Sequence, residues 1–182
     1  MSERDDEYAV RAAAYYLWMH EGRPEGKALV GRGKLAGQEV LLAKPQTYMN
    51  LSGVSVRELL GKYELTPDDL LVLWDEVQLP WGSIRLTPDG SAGSHNGAKS
   101  VIGSIGTQAF ARLRLGCGPD HPLDSRREYV LRPMKKAELE VAAEEVALAG
   151  DAVEFWLTNG MDAAMNKFNR RPENAGDEEA GK

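Results

Sequence analysis

The sequence predicts an α/β fold: a single domain in which a mixed, mostly parallel sheet lies between helices as a three-layer sandwich. Three observations predict it. Short apolar runs bounded by turn residues alternate with longer stretches of helical periodicity, the pattern of strands joined by crossover helices. The 182 residues suffice for one well-buried core, and 42% hydrophobic with 27% charged residues excludes a disordered, fibrous or collagen-like chain. No repeat and no linker divides the chain, so one domain is assigned to residues 1–171 and an acidic tail, expected to be disordered, to 172–182.

Val40-Leu41-Leu42-Ala43 reads as a strand between turn residues. Val54, Val56, Leu59, Leu60 and Tyr63 then recur at helical spacing, with Ser52-Gly53 offering a cap and a tight entry. Thr66-Pro67-Asp68-Asp69 carries an N-cap residue, a proline at the first helical position and acids in the first turn, so a brief helical turn feeds the strand Leu70-Leu71-Val72-Leu73-Trp74. Ala111-Arg112-Leu113-Arg114-Leu115 alternates and reads as a third strand. Residues 135–158 suit a long amphipathic helix, with an interruption expected at Gly150 and a stop at Asn159-Gly160. A short helix over 161–168 closes the domain.

The longest apolar run, residues 12–19, is far below the roughly 20 residues of a membrane span. The acidic start Ser2-Glu3-Arg4-Asp5-Asp6-Glu7 lacks the basic and apolar order of a targeting signal, so a cytoplasmic protein is expected. Cys117 is the only cysteine, which rules out an internal disulfide and fits a small buried side chain in a reducing compartment. Net charge is −6, of which the four acids and one lysine of 172–182 supply −3. Between 126 and 136 the balance reverses: Arg126, Arg127, Arg132, Lys135 and Lys136 face only Glu128. Such a patch can hold phosphate despite a negative total, because distant charges are screened within about 8–10 Å. An ordinary solvated surface is the alternative.

Three segments hold more polar and special residues than packing requires. Lys44-Pro45-Gln46-Thr47-Tyr48-Met49-Asn50-Leu51-Ser52-Gly53 joins a strand to a helix, where open α/β sheets bind ligands; Asn50 is either a functional amide or a turn cap. Trp74-Asp75-Glu76-Val77 ends the most apolar strand, and a carboxylate there is costly to bury unless paired. Asp75 therefore either caps a turn or orients an ionisable partner, which requires a histidine or basic side chain nearby. Gly90-Ser91-Ala92-Gly93-Ser94-His95-Asn96-Gly97-Ala98-Lys99-Ser100 is a glycine-rich loop opening a helix, with His95 and Asn96 either functional or structural. His121 lies in the turn Pro119-Asp120-His121-Pro122, and His20 reads as a helix-end residue. No phosphate loop, dinucleotide fingerprint, His-Glu-x-x-His pair or Gly-x-Ser-x-Gly elbow is present, so no cofactor and no metal is expected.

Together the three segments resemble bacterial-type peptidyl-tRNA hydrolase. The 44–53 segment looks like that family's signature, followed at matching distances by Trp74-Asp75-Glu76-Val77-Gln78-Leu79-Pro80-Trp81-Gly82 and by Gly93-Ser94-His95-Asn96-Gly97; Arg112-Leu113-Arg114-Leu115-Gly116-Cys117-Gly118 and Tyr129-Val130-Leu131 continue the likeness, which is strongest over 26–168. The resemblance implies a single α/β domain that hydrolyses the ester joining a peptide to the terminal ribose of tRNA, recycling tRNA from stalled translation. It implies that Asn50 and Asn96 bind the peptide or ribose end, that Tyr8, Tyr48 and Met49 line the crevice, and that Asp75 orients a catalytic histidine. It places His95 near the crevice and Lys99, Arg126 and Arg127 against tRNA phosphates. Peptidyl-tRNA is then the partner, and a monomer without membrane or metal is expected.

The front end departs from that pattern. The family opens with an apolar strand, an N-P-G turn, a tyrosine and T-R-H-N, whose histidine is the general base. Aligning Glu7-Tyr8-Ala9 with the tyrosine puts Ala13 at the base position, and the strand and turn find no counterpart, so the sheet is expected to lack its first strand. Since alanine cannot accept a proton, hydrolysis is expected to be slow. The alternatives are a tRNA- and peptide-binding paralogue without turnover, or a truncated copy of the enzyme.

Overall fold

In the computed structural model of this chain the described residues are 23–25 and 27–169. Tyr8, Ala13, His20, the acidic tail and the place where a first strand is expected to be absent all lie outside them.

The strand read at 40–43 belongs to a hairpin of β2 (Ala28–Leu35) and β3 (Gln38–Pro45), antiparallel from Ala28↔Pro45 to Leu35↔Gln38. Its two-residue turn needs two left-handed residues, and Ala36 (φ 51°) and Gly37 (φ 77°) supply them. β1 (Arg23–Glu25) adds an antiparallel third strand beside β2. Helix α1 (Ser52–Lys62) closes this sheet through Leu59, which packs with Ala28, Val30, Leu41 and Tyr63. Ser52 is the first helical residue and not the expected cap; its hydroxyl donates back to Met49 O at 2.9 Å, inside the 3₁₀ turn Met49–Leu51.

The second sheet has the order β4 (Leu71–Pro80), β6 (Ala111–Gly118), β5 (Ile84–Thr87). The turn Pro67–Asp69 leads into β4 as expected, with the Asp69 carboxylate accepting from both the backbone N–H and the hydroxyl of Thr66 at 2.8 Å. β4 runs parallel to β6, after helix α2 (Asn96–Ile105) has carried the chain across, while β5 follows β4 through a tight turn at Gly82 (φ 76°) and so meets β6 antiparallel. The sheet is mixed as expected, but among the described residues parallel pairing is confined to β4–β6. The expected predominance of parallel strands is corrected, because both short hairpin-like returns reverse the chain.

Helices α4 (Lys136–Asn159) and α5 (Met161–Phe168) cover one face of this sheet. The expected interruption at Gly150 does not occur; α4 runs unbroken to Gly160, whose φ of 82° ends it. Ile84, Leu86 and Leu113 meet Ala149, Ala152 and Ala164, and the small helix residues let the backbone come close to the sheet. Asn169 then uses its side-chain amide as a strand would, accepting from Leu86 N at 2.7 Å and donating to Leu86 O at 2.8 Å. Short α3 (Arg126–Leu131) is held by Trp81 Nε1, which donates to the Tyr129 hydroxyl at 3.2 Å, and by the Arg132–Glu138 ion pair at the start of α4.

Candidate active site around Asp75 and His95

Alternation along β4 buries Trp74 and Glu76 at 7% exposure each and turns Asp75 outward, its side chain 47% exposed. The expensive carboxylate in this strand is thus Glu76, which accepts from Gln78 N at 3.2 Å and faces Arg114 Nη1 at 3.8 Å. Asp75 has the partner its position demands: His95 Nε2 lies 3.5 Å from Asp75 Oδ1. That hydrogen bond holds the Asp75 carboxyl below its ordinary range, with partial burial opposing it.

His95 arrives from the glycine-rich loop and caps α2, its Nδ1 accepting from Ala98 N at 3.1 Å. With Nδ1 used as an acceptor, the neutral ring carries its proton on Nε2, directed at Asp75. The imidazole stacks on Trp74, with ring centroids 5.7 Å apart and planes 20° from parallel. One ring nitrogen of His95 thus stabilises a helix end and the other meets the carboxylate.

Met49 joins this pair. A Cβ on Gly97 would lie 2.5 Å from Met49 Sδ and 2.9 Å from His95 Cε1, so only glycine leaves room for both side chains. A Cβ on Gly53 would strike Ser100 O at 2.0 Å, and Gly53 N donates to Ser100 Oγ at 3.0 Å, which locks α1 onto α2. Two sequence motifs 44 residues apart are brought into contact by two glycines. Asn50 and Asn96 stand exposed beside Met49 and His95, and neither amide caps a helix or turn. Tyr48 is 82% exposed at the mouth of a shallow groove lined by Lys27, Thr47, Leu51 and Val54. Lys99 is one turn beyond His95, donating its backbone N–H to His95 O at 3.1 Å. Arg126 and Arg127 are exposed at the start of α3, and no contact links them to the Asp75–His95 pair.

The model of the peptidyl-tRNA hydrolase family matches residues 9–176. The chain belongs to the peptidyl-tRNA hydrolase family. A peptidyl-tRNA hydrolase from Solibacter usitatus is 46% identical over 158 residues, covering 87% of this chain and 81% of the relative. One from Brevibacillus brevis is 49% identical over 143 residues, covering 79% and 76%. Among solved structures, a peptidyl-tRNA hydrolase from Acinetobacter baumannii superposes with a TM-score of 0.75 at 29% identity, covering 90% of this chain and 86% of that one. A peptidyl-tRNA hydrolase in complex with N-propanol gives 0.78 at 27% identity, covering 91% and 85%. The chain is thus a hydrolase of the peptidyl-tRNA hydrolase family.

Sequence reasoning missed the groups that hold the Asp75–His95 pair from behind. Arg112 is 1% exposed and Trp74 lies between it and His95, yet in sequence Arg112 is only the polar member of an alternating strand. Glu145, read as one acid on an amphipathic helix, is 3% exposed; its Oε1 accepts from Gly116 N at 2.6 Å, and burial pushes its carboxyl up to about 7. Cys117 is buried as expected, and burial together with Asp75, Glu145 and Glu76 pushes its thiol up to about 12, so it is chemically inert. Among the described residues no cluster of histidine, cysteine and carboxylates could hold a metal, and no helix is long and apolar enough to cross a membrane.

Proposed function

We propose that this chain binds the acceptor end of peptidyl-tRNA over the Asp75–His95 pair and hydrolyses the ester between peptide and ribose, in the cytoplasm and as a monomer, returning tRNA to translation. The observation that carries the reading is the meeting of Met49, His95 and Asp75 from three separate motifs beside the middle of β4, which runs past the expected strand end at Trp74 to Pro80. Asn50 and Asn96 next to this point offer free amides, each with donors and an acceptor suited to peptide backbone and ribose hydroxyls. Tyr48 and Met49 supply the apolar wall, and Lys99, Arg126 and Arg127 supply exposed cations for phosphate.

His95 is a hydrogen-bonding residue in this arrangement. Its Nδ1 lone pair is taken by Ala98 N–H and its Nε2 proton points at Asp75, so neither nitrogen is open to accept a proton from water. With Ala13 at the base position, attack by water proceeds without a general base, which slows it by about 10² to 10⁴. The same commitment of both nitrogens favours a second reading, in which the chain binds peptidyl-tRNA without appreciable turnover.

Single-turnover hydrolysis of an N-blocked aminoacyl-tRNA, paired with binding of its amide-linked analogue, tests both. The expected result is analogue binding that weakens in Asn50→Ala and Asn96→Ala more than binding of deacylated tRNA does, with slow hydrolysis that His95→Ala slows by about a further tenfold or more without abolishing it, as loss of a group that orients the reactants does. Fast hydrolysis abolished by His95→Ala would assign the base to His95, and equal affinity of both asparagine variants for the analogue would remove them from the site.

A further inference from the structure

Arg112 is the largest fully buried side chain described, and it has no carboxylate in contact. A buried cation is costly unless its hydrogen bonds are satisfied, and here backbone carbonyls satisfy them. Nη1 donates to Gly90 O at 2.5 Å and Ser91 O at 3.1 Å, Nη2 to Gln108 O at 2.7 Å, and Nε to Phe110 O at 3.4 Å. The guanidinium also lies over Phe110 at 4.2 Å and over Trp74 at 5.8 Å.

These contacts converge on His95 by two routes. Along the chain, Gly90 and Ser91 belong to the loop that delivers His95, and this loop contains glycines at φ 136° (Gly90) and 55° (Gly93), so without an anchor its backbone has wide freedom. Across space, Trp74 touches the guanidinium and stacks on the imidazole. Four carbonyls from two separate loops require the planar, multiply donating guanidinium that lysine lacks.

We propose that Arg112 is a positioning residue that fixes the 88–94 loop and Trp74, and thereby holds the His95 ring in the orientation that pairs it with Asp75 beside the substrate amides. The assignment rests on the reading of Asp75 and His95 as part of the substrate site, but its first consequence, the state of the His95 ring, is measurable without substrate.

The test compares the unmodified chain with Arg112→Lys, which keeps the charge and loses the fork, and with a one-glycine insertion between Ser91 and Ala92, which keeps Arg112 intact and uncouples the loop from His95. Long-range ¹⁵N–¹H spectra of the histidine side chains report which ring nitrogen carries the proton, and thermal unfolding reports the fold. The unmodified chain should show His95 protonated on Nε2, and both variants, while cooperatively folded, should show a mixture of the two tautomers. In single-turnover hydrolysis both variants should lose about tenfold or more in rate with less than threefold change in half-saturating substrate, since small misplacements of reacting groups act on rate. A His95 signal unchanged in a folded Arg112→Lys overturns the proposal; should that variant not fold, an unchanged signal in the insertion variant does so. Weakened substrate binding at an unchanged rate also overturns it, by making Arg112 a phosphate contact. A mixed tautomer with unaltered hydrolysis supports the positioning of the ring while refuting the placement of His95 in the substrate site.

Discussion

The two faces of the β4–β6–β5 sheet are built on opposite principles, and adjacent residues of β6 display both. Leu113 points toward α4 and α5 into a core of aliphatic and alanine contacts and is fully buried. Arg112, its neighbour, points the other way and is equally buried, yet surrounded by carbonyls and aromatic faces. The apolar face gains stability from area removed from water, which is non-directional and tolerant of exchange. The polar face gains geometry: each nitrogen of the Arg112 guanidinium has a specified carbonyl acceptor, and the reward is a fixed loop and a fixed imidazole. His95 and Trp74 stand on the second face, whose contacts constrain direction, and Asp75 meets His95 from the next position of β4.

Truncating the apolar face should produce the largest effect on stability. Leu113→Ala removes a fully buried side chain between β5 and the alanines of α4, and should cost about 3 kcal/mol in urea unfolding. The His95 tautomer in the folded fraction should stay as it is. A changed His95 signal in this variant would show that the two faces are mechanically one, and the comparison would fail.

The apolar face has one polar exception, which sharpens the contrast. Glu145 reaches from α4 to Gly116 N, which also donates to Ser83 O at 2.9 Å, and its carboxyl sits near pH 7. Because the folded value lies above the usual one of 4.5, the folded state holds this proton more tightly than the unfolded state. Its contribution to stability is therefore complete below about pH 4.5, declines as pH rises from 4.5 to 7, and is lost above. The decline amounts to on the order of 2 kcal/mol. Glu145→Gln keeps an acceptor for Gly116 and should flatten the stability profile over that window. An unchanged slope in urea midpoints between pH 5 and 7 would show the carboxyl to be solvated.

These differences explain what was legible in the sequence. The strands at 40–43, 70–74 and 111–115 and the helices at 54–63 and 135–158 rest on periodic burial, which is a local property of the chain. β2 escaped because Gly31, Arg32, Gly33 and Lys34 interrupt its pattern, and β5 because four residues are too few to establish one. Of the site, a partner for Asp75 was one of two readings of a carboxylate in an apolar strand; the burial cost behind it falls on Glu76, and Asp75 faces outward. That His95 meets it depends on packing of α1 against α2, fixed by Gly53 and Ser100. Arg112 was illegible because arginine in an alternating strand ordinarily faces water; the carbonyls that replace water here come from residues 90, 91 and 108, and no local rule announces them.

The smallest expected effect separates the two faces most finely. Trp74 is 7% exposed, and its Nε1–H has no hydrogen-bond partner among the described residues, an orphaned donor in the middle of the polar face. Trp74→Phe removes that donor, whose desolvation costs about 1–3 kcal/mol, while the lost ring volume opens a void of comparable cost. The two terms offset, so stability should change by less than about 1 kcal/mol, in contrast to the loss at Leu113. Phenylalanine retains a flat ring between Arg112 and His95, and hydrolysis should fall by less than about threefold because the stack, not the indole N–H, holds the imidazole. Urea midpoints and single-turnover rates of the one variant check both statements. A loss above about 2 kcal/mol would mean that the indole N–H finds a partner in solution. That donor would then be satisfied, and the rule that the polar face trades stability for direction would need another example.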